Sequence, residues 1–382
     1  MPSHAKSNSV RRAFPLGRKQ LLIAGAAVLV IAGVIVGIVA TGGPKHTSAN
    51  GGTTSSSSST VTTQALASNR CPLTDLPAPG GTPPSRPPAA VKIGNEPGPD
   101  AGGLGAARPQ SGLNEADVVY DTPAEGGIMR YVALFQCNDA SLIGPVRSVR
   151  WVDWHILAEF RVSILAHVGG INQDRAVVTS KKYILNADDF SYSQAYEQIA
   201  SRVSPDSTYT STSALYKLFH NETPPRPIFK YTATLPAGAK PTASVGINFS
   251  YGTDVLWKWD PTTKSWLHFY GSGSTPDIDT LDNKQVSTTN IVIQIVNYRL
   301  GPYAESPGGS GDVESITTGS GPGYVLRDGE MIPVTWHRST LQDATTYTTA
   351  NGATVGLAPG RTWVEMVLNT TAKVKGALTF TS

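Results

Sequence analysis

Charge is scarce in this chain, and what there is does not cluster. Of its 382 residues, 15% are Asp, Glu, Lys or Arg, and the formal net charge is +3. Beyond residue 20 there is no run of Lys or Arg. The chain therefore lacks the basic stripe that neutralises successive phosphates, and nucleic acid is not an expected partner. Cysteine is almost absent, with Cys71 and Cys137 alone. There is no Cys/His zinc spacing, no H-E-x-x-H, no Walker A loop and no G-x-S-x-G elbow. These absences remove the common metalloprotease, nucleotide-binding and α/β-hydrolase signatures. No metal or cofactor is expected, and no internal repeat organises the chain.

One long apolar run does occur. Residues 21–40 read LLIAGAAVLVIAGVIVGIVA, and roughly 20 such residues span a hydrocarbon core. Arg11, Arg12, Arg18 and Lys19 precede it, which places the N-terminal tail 1–20 in the cytoplasm by the positive-inside rule. A transmembrane helix over 21–41 is expected, with everything after it outside the cell membrane. A cleaved signal peptide is the alternative. Its apolar region would be shorter and followed by a small-residue cleavage site. An oxidising compartment would let Cys71 and Cys137 pair, which in the chain-entropy model stabilises by roughly 4 kcal/mol.

Composition then divides the chain. Residues 42–85 are rich in Gly, Ser, Thr and then Pro, too polar to fold alone. They predict a tether with a reach of about 35–40 Å if fully flexible. Residues 86–230 read as a mixed α/β domain. Strands are expected at 89–93, 117–124, 129–136 and 162–168, and a capped helical turn at 111–116. Helices are expected at 148–160, 172–182 and 211–220. Val149, Val152, Ile156 and Phe160 form the apolar stripe of the first helix. Residues 243–382 alternate as mainly antiparallel β: 255–270 as a hairpin, 290–298, 324–336 about Asp328–Gly329, and 361–368. The fold class is α+β.

Polar residues gather where the predicted elements of the first domain end. Glu125 and Arg130 flank a turn, Arg147 and Arg150 precede a helix, and His167 ends a strand before Gly169–Gly170. Arg108 lies in a loop upstream. Ionised side chains in such places need partners, so Arg108, Glu125, Arg130, Arg147, Arg150 and His167 make a candidate ligand-binding cleft. Asp153 falls within the apolar stripe of its helix, and Arg150 three residues earlier is its nearest donor. The tryptophans 257, 259, 266, 336 and 363 are either core residues or stacking platforms for sugars.

RPQSGLNEADVVYDTPAEGGIMRYVALFQ, IGPVRSVR and HVGG, followed by NIVIQIV, VTWHRS and NGATVGLAPGRTWVEMV, resemble the YerB-like family of bacterial envelope proteins. The blocks cover nearly all of the chain from Arg86 onward. The resemblance implies two domains and an outer location. Many family members are lipoproteins, whereas this chain carries an apolar span in place of a lipidated cysteine. It implies no catalytic residue and no cofactor. Three functions stay open: a binding module for an anionic cell-wall component or peptide, a scaffold for another envelope protein, or a cell-wall-polymer enzyme using Glu125 or Asp153 with His167 as acid and base.

Overall fold

Strand alternation places successive side chains on opposite faces of a sheet, and in the central strands of this protein both faces are covered. The computed structural model describes residues 69–98, 106–249, 252–271, 273–305, 308–309 and 311–382. Among them no helix is long and apolar enough to cross a membrane. The expected span at 21–41 and the tail before it lie outside the described residues.

In chain order the main elements are β1 (Ala89–Ile93), β2 (Val118–Pro123), β3 (Met129–Phe135), α1 (Trp151–Leu157), β4 (Ser163–His167), α2 (Asn172–Ser180), β5 (Ile184–Asp188) and α3 (Thr212–Leu218). The second half supplies β6 (Ser244–Ile247), β7 (Val255–Asp260), β8 (Ser265–Tyr270), β9 (Asn290–Leu300), β10 (Val313–Ile316), β11 (Gly319–Arg327), β12 (Glu330–Arg338), β13 (Thr346–Thr348), β14 (Thr362–Leu368) and β15 (Leu378–Thr381). Ten of these form the long path of a twelve-stranded sheet, ordered β13-β12-β11-β9-β14-β2-β3-β1-β4-β5. Strands β6, β7, β8 and β15 form a smaller sheet with two short segments.

The two halves of the chain share the large sheet. β14 runs parallel to β2 on one side and to β9 on the other, so the sheet crosses the sequence boundary near residues 230–243 without a break. The second half is therefore less antiparallel than its alternation suggests. Period-two patterning reports which face a side chain takes, not strand direction. The long run of buried residues in β9 is what a central strand covered on both faces produces.

One face of β1–β3 meets the smaller sheet through Val91, Val119, Tyr131, Ala133, Trp257, Trp266 and Trp363. The other face meets α1 through Ala90, Val118, Val132, Val152, Ile156 and Leu165. Four of the five tryptophans weighed as sugar platforms, Trp257, Trp266, Trp336 and Trp363, are buried. Each contributes to the core roughly as other large apolar side chains do, about 2–3 kcal/mol by area. Helix α1 ends at Leu157 and tightens into a 3-10 turn over Ala158–Phe160. The expected helical turn at 111–116 is not helical. The amides of Gly112 and Asn114 donate to the two oxygens of Asp279, at 2.9 and 2.8 Å, so a carboxylate from the other half satisfies them.

Order begins before Arg86. Leu73 is fully buried, and the Tyr231 hydroxyl donates to its carbonyl at 2.5 Å. Cys71 and Cys137 form a disulfide with Cα atoms 5.9 Å apart, tying the end of the tether to the segment after β3.

Candidate functional site

Strands β1, β2, β4, β5, β9 and β14 all run in one direction. Open α/β sheets present ligand groups beyond the carboxyl ends of such strands. Here those ends carry Glu96 after β1, Glu125 after β2, Gly169–Gly170 after β4 and Glu305 after β9. The segment before α1 crosses this edge. The Arg147 amide donates to the Lys92 carbonyl at 2.8 Å, and the Val168 amide donates back to the Arg147 carbonyl at 3.1 Å. Close approach demands glycine at position 94, where a Cβ would lie 2.8 Å from Arg147 Cγ.

Three ion-pair units result. In the first, a single oxygen of Glu96 accepts from Arg130 Nε at 3.0 Å and Nη2 at 2.8 Å, and from Arg147 Nη2 at 3.0 Å. Burial would raise the Glu96 carboxyl, but the two guanidinium groups override it and hold it at about 2. In the second, the Arg150 guanidinium contacts Glu125 and Glu305 and donates to the Val149 carbonyl. Glu125 is likewise held at about 2 against the effect of burial. In the third, Lys92 Nζ reaches Asp153 Oδ1 at 2.7 Å and Thr122 Oγ1 at 2.9 Å. Lys92 and Asp153 are both fully buried. Burial lowers the Lys92 ammonium, and Asp153 offsets part of that.

The structure thus brings together Glu125, Arg130, Arg147 and Arg150, but with partners the sequence did not suggest. Asp153 takes Lys92 as its ionic partner, and Arg150 reaches it only through its backbone amide, at 2.8 Å. The reason is strand alternation: Lys92, Thr122 and Arg130 point from β1–β3 toward α1. His167 is buried, with Nδ1 2.8 Å from the Gly169 carbonyl and Nε2 2.9 Å from Asn186 Oδ1. Nδ1 is committed to the turn after β4 and Nε2 to β5. The acid–base pairing of Glu125 or Asp153 with His167 has no hydrogen bond to rest on. Arg108 lies apart, over the Tyr270 ring at 3.9 Å and bonded to Asn95 Oδ1 at 2.9 Å. Sequence reasoning missed Lys92, Glu96 and Glu305. A lone lysine inside AAVKI was a usable signal. Glu305, 155 residues from Arg150, left none.

A second polar group occupies the opposite face of the same strands. Asp121 and Glu365 are neighbours across β2 and β14, within hydrogen-bonding reach of each other. Glu365 accepts from Trp257 Nε1 at 2.7 Å. Both acids are fully buried. Burial and the paired carboxyl push Asp121 far up, and burial carries Glu365 to about 7, so the pair retains a proton. Nearby, the fully buried His268 Nδ1 lies 2.9 Å from Asp277.

Comparison with known proteins agrees with this architecture. Residues 73–225 match the N-terminal domain, and residues 245–364 the C-terminal domain, of the protein family of unknown function DUF3048. YerB of Bacillus subtilis (strain 168) is 26% identical over 295 residues, 74% of this chain and 81% of that protein. The crystal structure of Bacillus subtilis YerB superposes with a TM-score of 0.66 at 22% identity, covering 82% of this chain and 99% of that one. The chain belongs to the two-domain DUF3048 family, the YerB-like proteins.

Proposed function

We propose that the protein is a membrane-tethered extracytoplasmic binding module that takes an anionic cell-wall component or peptide at the carboxyl edge of its parallel strands. The Bacillus subtilis relative is provisionally named a lipoprotein, which supports an envelope location, and the apolar run at 21–41 would serve as the anchor here. One observation carries the site. Two guanidinium groups share one carboxylate oxygen of Glu96, while Arg130 Nη1 is buried without a hydrogen-bond partner and Arg147 Nε makes no hydrogen bond, its nearest carboxylate being Asp206 at 3.8 Å. Burial and the neighbouring Arg150 lower the Arg130 guanidinium despite Glu96. A carboxylate or phosphate would supply the missing acceptors bidentately.

Arg147 is the arginine to test, because its side chain retains 15% exposure while that of Arg150 is fully covered. Binding of poly(glycerol phosphate) and of a carboxylate-bearing peptide should weaken about tenfold in Arg147→Ala, the loss of one charge-assisted bond. The unfolding midpoint should move little. Unchanged binding together with a large loss of stability would instead favour a purely structural cluster, as the scaffold reading requires.

A further inference from the structure

Lysine is rarely sealed inside a protein, and Lys92 is the only buried lysine among the described residues. It projects from β1 toward the first turn of α1, where its side chain and that of Asp153 are both 0% exposed. Nothing in the anion site requires this pair. It sets a potential nucleophile against a carboxyl carbon in a place closed to solvent.

The contacts around the two groups are specific. Lys92 Nζ has two acceptors within reach, Asp153 Oδ1 at 2.7 Å and Thr122 Oγ1 at 2.9 Å. An ammonium has three donors to place, whereas an amine has two and a lone pair. Thr122 gives its own proton to the Arg130 carbonyl at 2.8 Å, so its oxygen is fixed as an acceptor for one Nζ–H. Burial lowers the Lys92 ammonium, the Arg130 and Arg150 guanidinium groups add to the lowering, and Asp153 offsets part of it. Desolvation beside other cations is how a lysine becomes nucleophilic. The second oxygen of Asp153, Oδ2, accepts from the Arg150 amide at 2.8 Å. That N–H stands where negative charge would build during attack on the carboxyl carbon.

We propose that Lys92 and Asp153 join through an intramolecular isopeptide bond between Nζ and Cγ, locking β1 to α1. The ion pair is the reactant of this step. The ammonium passes one proton to Oδ1, leaving an amine and a carboxylic acid. The Nζ lone pair forms the bond to Cγ, and the charge that builds on Oδ2 meets the Arg150 amide. The Cγ–Oδ1 bond then breaks, and Oδ1 leaves as water with two of the three protons that Nζ carried. The third stays on the amide nitrogen. Nothing is oxidised or reduced, and no co-reactant is needed. Fixed proximity supplies the activation, and the closed site keeps out the bulk water that would reverse the reaction. The bond is independent of the anion site, since neither Lys92 nor Asp153 belongs to it.

The experiment is mass spectrometry of the purified full-length chain after reduction and denaturation. The chain should be lighter than its reduced sequence mass by one water. Lys92→Arg, which keeps the charge but lacks the amine, should show no such loss. Trypsin should fail to cut the parent after Lys92, and should release a branched peptide in which residues 151–161 are attached to Lys92 through Asp153. Linear peptides ending at Lys92, with no branched product, would overturn the assignment. So would a loss of water without the branched peptide, because dehydration at a site such as Asp328–Gly329 has the same mass. The peptide readout is taken on the denatured parent, so it decides the question whether or not the variant folds.

Discussion

The two faces of β1–β3 bury polar groups at similar depth and reach opposite outcomes. Asp121 and Thr122 are consecutive, as are Arg130 and Tyr131, yet alternation sends one of each pair to either side of the sheet. Toward α1, Lys92 and Arg130 meet Asp153 and Glu96. Toward the smaller sheet, Asp121 meets Glu365, another acid. Burial penalises charge on both faces. On the first, opposite charges offset the penalty and Glu96 is held ionised down to about 2. On the second, like charges add to it, and the pair keeps a proton instead. The sign of the partner, rather than depth, decides whether a buried acid here is a salt-bridge anion or a neutral hydrogen-bonding group.

The contrast breaks hardest at Lys92. Lys92→Met strands Asp153 in the core without its counter-charge and should cost about 3–5 kcal/mol in urea unfolding. Adding Asp153→Leu should restore most of that loss, because an apolar pair of similar volume avoids the desolvation of both ions. A single variant within about 1 kcal/mol of the parent would mean that the pair is not dry.

The pH dependence separates the faces next. Glu365 titrates at about 7 in the folded chain against an ordinary value of 4.5. Between these limits the folded state holds a proton that the unfolded state has released. Its contribution is therefore full below the unfolded pKa and is lost as pH rises toward 7, on the order of 3 kcal/mol. Glu96 and Glu125 act in the opposite sense. Their folded values of about 2 give stability that is present above the ordinary carboxylate range and lost as pH falls toward 2. Asp117, raised to about 6 by burial, shares the sign of Glu365, so the diagnostic quantity is the difference between variants. Glu365→Gln can still accept from Trp257 and can donate to Asp121. It should flatten the decline in unfolding midpoint between about pH 5 and pH 7. A decline as steep as that of the parent would show that the Asp121–Glu365 pair does not hold the proton.

How much of this was legible beforehand follows the same division. The strands, the three helices and the hairpin at Asp328–Gly329 were readable from periodicity and turn residues, because those signals are local. The disulfide was readable from scarcity and compartment. The cluster at the carboxyl edge was readable as a set of arginines and a glutamate, since charges beside apolar runs stand out. Its pairing was not. Glu96 and Arg130 are 34 residues apart, Lys92 and Asp153 are 61 apart, and only the sheet order brings them together. The Asp121–Glu365 pair was invisible for a stronger reason: it needs the parallel alignment of β2 with β14 from the other half of the chain, and neither residue has an unusual neighbour in sequence. His167 shows the converse case. A histidine before two glycines looks like a site residue, but here it fastens the glycine turn itself.

The smallest effect lies at Glu305, where the first cluster meets solvent. Its side chain is 44% exposed, whereas that of Glu125 on the same arginine is 14% exposed. Water and salt screen the outer carboxylate, so Glu305→Gln should cost no more than about 1 kcal/mol. Arg150 keeps Glu125 and the Val149 carbonyl in either case. The effect should shrink toward zero in about 1 M salt, where the Debye length is about 3 Å, while the loss in Lys92→Met should persist, because its pair is closed to ions. If salt abolished both, burial would not be what distinguishes the inner pair from the outer one. If it abolished neither, Glu305 would be held as tightly as Glu125, and the cluster would be closed where the proposed ligand has to enter.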